Sequence, residues 1–193
     1  MKKQPEITAA TRKMFIQVFC AFYRTRPIEK ITVKEIAEKA GYNRVTFYQY
    51  FQDVYDLQAQ LEDELIGKIQ ESITANILGE DIAGNFVQAF SDVFGSQEEL
   101  ARTFLGNPYN TNLARRLPAE ILPLVMDTLH IPADNIRARY TLAFYLPGVV
   151  SLLGTWLQNQ GELSPEELGT LLRGILEDGV LAQLRLTDPV SEG

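Results

Sequence analysis

The chain is poor in the residues that build metal sites and cross-links. Its 193 residues hold one cysteine, Cys20, and one histidine, His130. A His/Cys metal cluster and an internal disulfide are both excluded, so no metal and no cofactor are expected. Gly-rich phosphate loops and nucleophile elbows are missing too. The carboxylate pairs Glu98-Glu99 and Glu166-Glu167 are adjacent, so on a helix they point in different directions and serve as solvated or capping groups. No catalytic residue stands out, and the chain is predicted not to be an enzyme. Strand signals, the alternating Val/Ile/Thr-rich runs between turn pairs, are scarce. No apolar run of about 18 residues marks a membrane span. The apolar stretch 14–23 is not read as a secretory leader, because Arg12 and Lys13 abut it, Gln17 interrupts it and Arg24 and Arg26 follow it. A lone cysteine in a helix suits a reducing cytoplasm.

Basic charge is also short, but it is not evenly spread. The total is −7; residues 1–51 hold 10 Lys+Arg against 4 Asp+Glu, or +6, and residues 52–193 hold 8 against 21, or −13. A basic head on an acidic body confines any nucleic-acid footprint to the first quarter of the chain.

What is present reads as helix. A first helix is predicted over about 7–25, with Phe15, Val18, Phe19 and Phe22 as its apolar stripe, ended by Arg26-Pro27. A second begins with a capping box, Thr32 and Glu35, flanked by Ile31 and Ile36 as a hydrophobic staple. Gly41 closes it in a left-handed conformation, and Asn43 caps a third helix over 44–51. A long fourth helix starts near Asp53. Its stripe, Leu57, Leu61, Leu65, Ile69, Ile73 and Ile77, winds roughly halfway round over five four-residue steps of about 40° each. It would grip the head with one side and the body with another, as a connector. Weaker helices are predicted at 82–95, 97–106 and 119–130, broken at Asn107-Pro108, Pro118 and Pro132. A further helix over about 133–158 has a kink expected at Pro147-Gly148, and a last one starts at Ser164-Pro165-Glu166-Glu167. His130, before Ile131-Pro132, reads as a helix cap as readily as a ligand.

The stretch 31–51, ITVKEIAEKAGYNRVTFYQYF, encodes a short helix, a Gly-containing turn and a second short helix: a helix-turn-helix, whose second helix enters the major groove. Ile36, Ala37, Ala40, Phe47 and Phe51 would pack inward. Arg44, Val45, Thr46, Tyr48, Gln49 and Tyr50 would face out, with Thr32 and Lys34 beside them. Arg44 suits guanine, Gln49 adenine, and Val45 or the Thr46 methyl a thymine methyl. Thr32, Tyr48 and Tyr50 offer hydroxyls to phosphates, and Lys34 suits either role.

This stretch resembles the DNA-binding domain of the TetR family of regulators. The likeness rests on Thr32, Ile36-Ala37, Ala40-Gly41, Asn43 and Tyr48-Gln49-Tyr50-Phe51, and it covers about residues 11–60. The run FYLPGVVSLLGTWLQNQGELSPEELGTLL more loosely resembles a subgroup with an aromatic/Gly-rich helix ending in Trp156-Leu157. One departure is Val54, where the family commonly places a phosphate-contacting lysine. A lost phosphate contact weakens DNA binding and flattens its log–log salt slope by nearly one.

The resemblance implies an all-α fold: a three-helix DNA-binding domain (1–54) joined by a long helix to a helical effector-binding and dimerisation domain (55–187), then a flexible tail (188–193). It implies a homodimer on palindromic double-stranded operator DNA, a small-molecule effector, no membrane partner and a repressor's role. The dimer face would use Gly148, Ser151, Leu152 and Thr155 with Leu168, Leu171, Leu172, Ile175 and Leu176. Aromatic candidates for the effector pocket are Phe86, Phe90, Phe94 and Phe104, then Tyr109, Tyr140, Phe144, Tyr145 and Trp156. The rival reading is a helix-turn-helix-derived interaction module, such as a co-activator, that does not itself bind DNA.

Overall fold

The computed structural model describes residues 5–77, 81–159 and 162–181. Among them every regular element is helical, in eight α-helices. Helix α1 (Pro5–Tyr23) places Phe15, Phe19, Cys20 and Tyr23 on one face, and all four are buried. It stops two residues short of the predicted end, where the Thr25 hydroxyl turns back to donate to the Phe22 carbonyl. A single 3₁₀ turn (Ile28–Lys30) follows Pro27.

Helix α2 (Val33–Lys39) carries the expected capping box, and both staple residues, Ile31 and Ile36, are buried. Gly41 takes φ +80°, the left-handed region that glycine enters without steric cost. Helix α3 is shorter than predicted: it spans Arg44–Phe47 only. Beyond it the amides of Gln49 and Tyr50 donate three residues back, to Thr46 (3.2 Å) and Phe47 (2.9 Å), so the helix tightens into turns. Phe47 and Phe51 are both buried, and their rings sit 5.3 Å apart. Phe47 also meets Phe15 edge-on at 5.3 Å, locking α3 to α1.

Helix α4 (Val54–Asn76) is capped by Asp53, whose carboxylate accepts from the Tyr55 and Asp56 amides at 2.8 Å each. Its winding stripe is buried along its length, apart from a half-buried Ile69. It packs most extensively on α5 (Ile82–Phe104) and also on α6 (Thr111–Thr128). The two predicted helices over 82–106 run together as α5, with one non-helical residue, Gln97 (φ −130°, ψ 29°), between them.

The largest departure is α6. It begins at Thr111, capped by Asn110, and passes through both Pro118 and Pro123. Proline costs a helix a backbone hydrogen bond, but Leu113, Leu117, Ile121 and Val125 form a buried stripe through this stretch that offsets the loss. Helix α7 (Ile136–Gln158) likewise runs unbroken through Pro147. By length and composition α7 is apolar enough to cross a membrane. The physical reason lies in its two apolar sides: Leu142, Leu146, Val149 and Leu153 enter the core while Ile136, Tyr140 and Phe144 stand exposed. Helix α8 (Pro165–Ile175), with its Ser164/Glu167 capping box, passes into a π-helical turn (Leu176–Leu181). The predicted tail at 188–193 lies outside the described residues.

Buried apolar residues form one continuous cluster from Phe15 to Val180. Head and body are also joined by polar bonds. The Arg24 guanidinium donates to the Thr103 hydroxyl (2.9 Å), and the Asn107 amide donates to the Tyr23 carbonyl (2.9 Å). The buried carboxylate of Glu62, on α4, accepts from Gln58 (2.9 Å), Asn112 (3.2 Å) and Arg116 (3.4 Å), and the Gln58 amide also donates to the Tyr23 hydroxyl (3.0 Å). One acidic side chain therefore ties α4 to α6 and, through Gln58, to α1.

Candidate nucleic-acid interface and body cavity

Local hydrogen bonds set the geometry of the turn between α2 and α3. The Asn43 carboxamide oxygen accepts from the Thr46 amide (2.9 Å) and from the Thr46 hydroxyl (3.1 Å), fixing where α3 begins. From that start Arg44, Val45, Tyr48 and Gln49 project into solvent, Val45 being 71% and Tyr48 56% exposed. A large aliphatic and an aromatic side chain thus stand exposed side by side on the basic head. Among the described residues no carboxylate pairs with Arg44. Lys34 lies 3.9 Å from Glu38 along the exposed side of α2, a weak solvated pair.

The other predicted contact residues are less free. Thr46 spends its hydroxyl on the cap, leaving its methyl. Tyr50 is half-buried, its ring 6.0 Å from that of Phe15. Thr32 donates its hydroxyl to Glu35 (2.7 Å) and its amide to the same carboxylate (3.0 Å). Those bonds from Thr32, with a further one from Arg26, hold the Glu35 carboxyl below the usual carboxylate range. The donors of Thr32 are thus committed within the cap. Val54 is buried beneath the head, so the side chain at that position serves packing. Two exposed tyrosines were not singled out from the sequence: Tyr42, 37% exposed at the turn, and Tyr55, 53% exposed in the first turn of α4. The signal for Tyr55 was its place in the first turn after the Asp53 cap, a few residues beyond α3.

The body encloses a cavity of about 90 Å³ among α4, α5, α6, α7 and α8. Phe86, Phe90 and Phe94 line it from α5, Leu117, Pro118 and Ile121 from α6, and among the described residues no lining side chain carries nitrogen or oxygen. A smaller cavity of about 30 Å³ lies beside it, lined in part by Tyr145, and Phe86 and Leu146 border both.

Residues 21–60 match the family model described as bacterial regulatory proteins, tetR family. The head therefore carries a TetR-type helix-turn-helix domain. Solved structures share its fold over nearly the whole length. The fatty acid degradation regulator FadR from Bacillus halodurans superposes with a TM-score of 0.65 at 15% identity, covering 93% of this chain and 98% of that one. The TetR-family repressor AlkX from Dietzia sp., implicated in biodegradation of n-alkanes, gives 0.53 at 17% identity, covering 88% and 97%. No curated protein matches the chain in sequence.

Within the body the predicted pocket residues separate. Phe86, Phe90 and Phe94 line the 90 Å³ cavity, and Trp156 packs behind two of them, 6.2 Å from Phe90 and 5.1 Å from Phe94, while its indole N–H donates to the Leu163 carbonyl (2.9 Å). Tyr145 borders the smaller cavity. Phe104 is buried but faces the head, its ring 5.7 Å from that of Tyr23. Tyr109, Tyr140 and Phe144 are exposed, Phe144 by 84%, and line neither of these two cavities. They belong to the surface because helical spacing groups residues on a face without saying which face turns inward. The predicted dimer residues divide in the same way. Leu168, Leu172 and Leu176 are buried in their own body, whereas Leu171 and Ile175 are exposed, as are Gly148, Ser151 and Thr155; Leu152 is half-buried.

Proposed function

We propose that the chain is a homodimeric repressor that reads palindromic operator DNA with the segment from Asn43 to Tyr50 and lets go when a small molecule occupies the body. The observation that carries this reading is the cluster of Arg44, Val45, Tyr48 and Gln49, held outward by a capped turn on the basic part of an acidic chain. Arg44 and Gln49 supply bidentate base contacts, Val45 and the Thr46 methyl meet thymine, and Lys34, Tyr42, Tyr48 and Tyr55 reach phosphates. The cytoplasm, where the chromosome lies, is the compartment this work requires.

Pairing uses the outer side of α7, where Tyr140, Phe144, Gly148, Ser151 and Thr155 recur at helical spacing, together with Leu171 and Ile175 of α8. Exposed apolar side chains of this size mark an interface, and a two-fold axis sets two recognition segments at the spacing of operator half-sites. The effector reaches the recognition segment through α4, which lines the cavity with Ile69 and Ile73 and begins beside α3.

The test is selection of bound sequences from random duplex DNA, followed by gel shifts on the enriched site. Wild type should form a salt-sensitive complex, and an Arg44→Ala, Gln49→Ala double variant should lose about 1–3 kcal/mol per base contact removed. A well-folded wild-type chain that enriches no sequence would point instead to a protein-interaction module.

A further inference from the structure

The chemistry of the two cavities defines what can occupy them. Three aromatic rings and a set of branched aliphatic side chains wall the larger one, and among the described residues no lining side chain offers a charge or a hydrogen bond. A carboxylate or ammonium placed there would give up its hydration for nothing. Apolar cavities of this kind stay dry and take up apolar molecules. The neighbouring cavity differs in one respect. Tyr145, which borders it, is 6% exposed, and among the described residues its hydroxyl finds no hydrogen-bond partner. Every other described side chain lining that cavity is a hydrocarbon, from Ile77 and Ile82 through Leu142 to Val180. Burial alone pushes the Tyr145 hydroxyl up to about 12, so it remains a proton donor throughout the physiological range. A buried donor without an acceptor is costly, and such orphans require an explanation.

Phe86 and Leu146 stand between the two spaces, the only described residues that line both. A rotamer change in these two side chains would join them into one elongated chamber, hydrocarbon along most of its length with a single hydroxyl toward one end. We infer that the effector is an uncharged, largely hydrocarbon molecule bearing one oxygen that accepts a hydrogen bond from Tyr145, with its hydrocarbon part in the larger cavity. This rests on the effector reading above and narrows it: free acids, amines and phosphorylated molecules are excluded from the chamber, while alcohols, ketones and esters of moderate length fit.

The chain carries its own reporter, since Trp156 is the only tryptophan and packs on Phe90 and Phe94 at the cavity wall. Titrating 1-octanol, octanoate, octylammonium and octane into the full-length protein, without DNA, and following Trp156 fluorescence tests the inference. Octanol should bind saturably, with octanoate and octylammonium at least tenfold weaker. Tyr145→Phe should weaken octanol about fivefold and leave octane unchanged. Because that substitution removes an unpaired buried hydroxyl, the unliganded variant should melt at the same temperature as wild type or higher, which guards against a folding artefact. A second variant, Val149→Phe, fills the larger cavity and should abolish binding of both octanol and octane. Octanoate binding as tightly as octanol, an octanol affinity indifferent to Tyr145→Phe, or no saturable binding at all would each overturn the inference. Gel shifts on the selected operator then separate the two levels. Saturable octanol binding with no change in operator affinity would leave the site standing and refute its role in release.

Discussion

Replacing Glu62 by glutamine is the sharpest probe of how the body holds the connector helix. The carboxylate is almost wholly buried and accepts three hydrogen bonds, from Gln58, Asn112 and Arg116. A glutamine amide keeps one acceptor oxygen and turns the other position into a donor, so at least one of those donors would face an N–H. A buried hydrogen bond to a charged group is worth about 1.5–3 kcal/mol. Arg116 would not be stranded, because it is 30% exposed and keeps Asp63 (2.8 Å) and Glu120 (3.0 Å). The cost of Glu62→Gln should therefore be about 2 kcal/mol, short of the roughly 3–5 kcal/mol of an uncompensated buried charge. Arg116→Ala leaves the buried carboxylate with two neutral amides and should cost more, about 3 kcal/mol. Urea unfolding followed by circular dichroism measures both, and a thermal melt should show a fall of about 4–8 °C for Glu62→Gln. If Glu62→Gln costs less than about 0.5 kcal/mol, or if it costs more than Arg116→Ala, the carboxylate does not fasten α4 to α6 in the way its contacts imply.

Other expectations concern the backbone and pH. At Gly41 nothing stands within 4 Å of an added Cβ, so Gly41→Ala isolates the cost of φ +80° and should destabilise by about 1 kcal/mol by urea titration, with operator affinity weakened only through the head. His130 occupies the left-handed position (φ 53°) at the end of α6, where the Ile131 amide donates to the Met126 carbonyl (2.8 Å). His130→Gly should then raise stability by about 1 kcal/mol, and a loss on melting would contradict the capping role. Burial pushes the Cys20 thiol up to about 11 from an ordinary 9.0. The unfolded thiol loses its proton first, so stability contributed by the neutral thiol is full below pH 9 and fades as pH rises toward 11. Alkaline unfolding should shift upward in Cys20→Ala relative to its own neutral-pH stability, and the native thiol should react slowly with Ellman-type reagents at pH 8.

The recognition head was legible in the sequence because its instructions are local. Thr32 with Glu35, Gly41 and Asn43 each act within a few residues, and each takes the conformation its chemistry prescribes. The stripe of α4 was equally plain, since periodicity survives whatever packs against it. Tertiary packing decided the rest. Pro118 read as a break, but the leucines and isoleucines around it bury enough surface to carry the helix through. Tyr140 and Phe144 have the same spacing as residues that face inward, and only the position of α7 in the bundle turns them out. Glu62 gave no sign of itself, because a glutamate beside an apolar stripe is ordinarily solvated, and its partners on α6 lie 50 residues or more away in the chain.

The winding of the apolar stripe along α4 has a mechanical consequence. A rod of 23 residues, about 34 Å long, that is clasped on one side at its start and on another at its finish cannot roll about its axis without tearing free at one end. Swinging is the motion left to it. For a rod of that length a swing of only about 5° carries the tip roughly 3 Å, so a side-chain-sized disturbance among Ile69, Ile73 and their neighbours is enough to move the head by about the rise of one base pair.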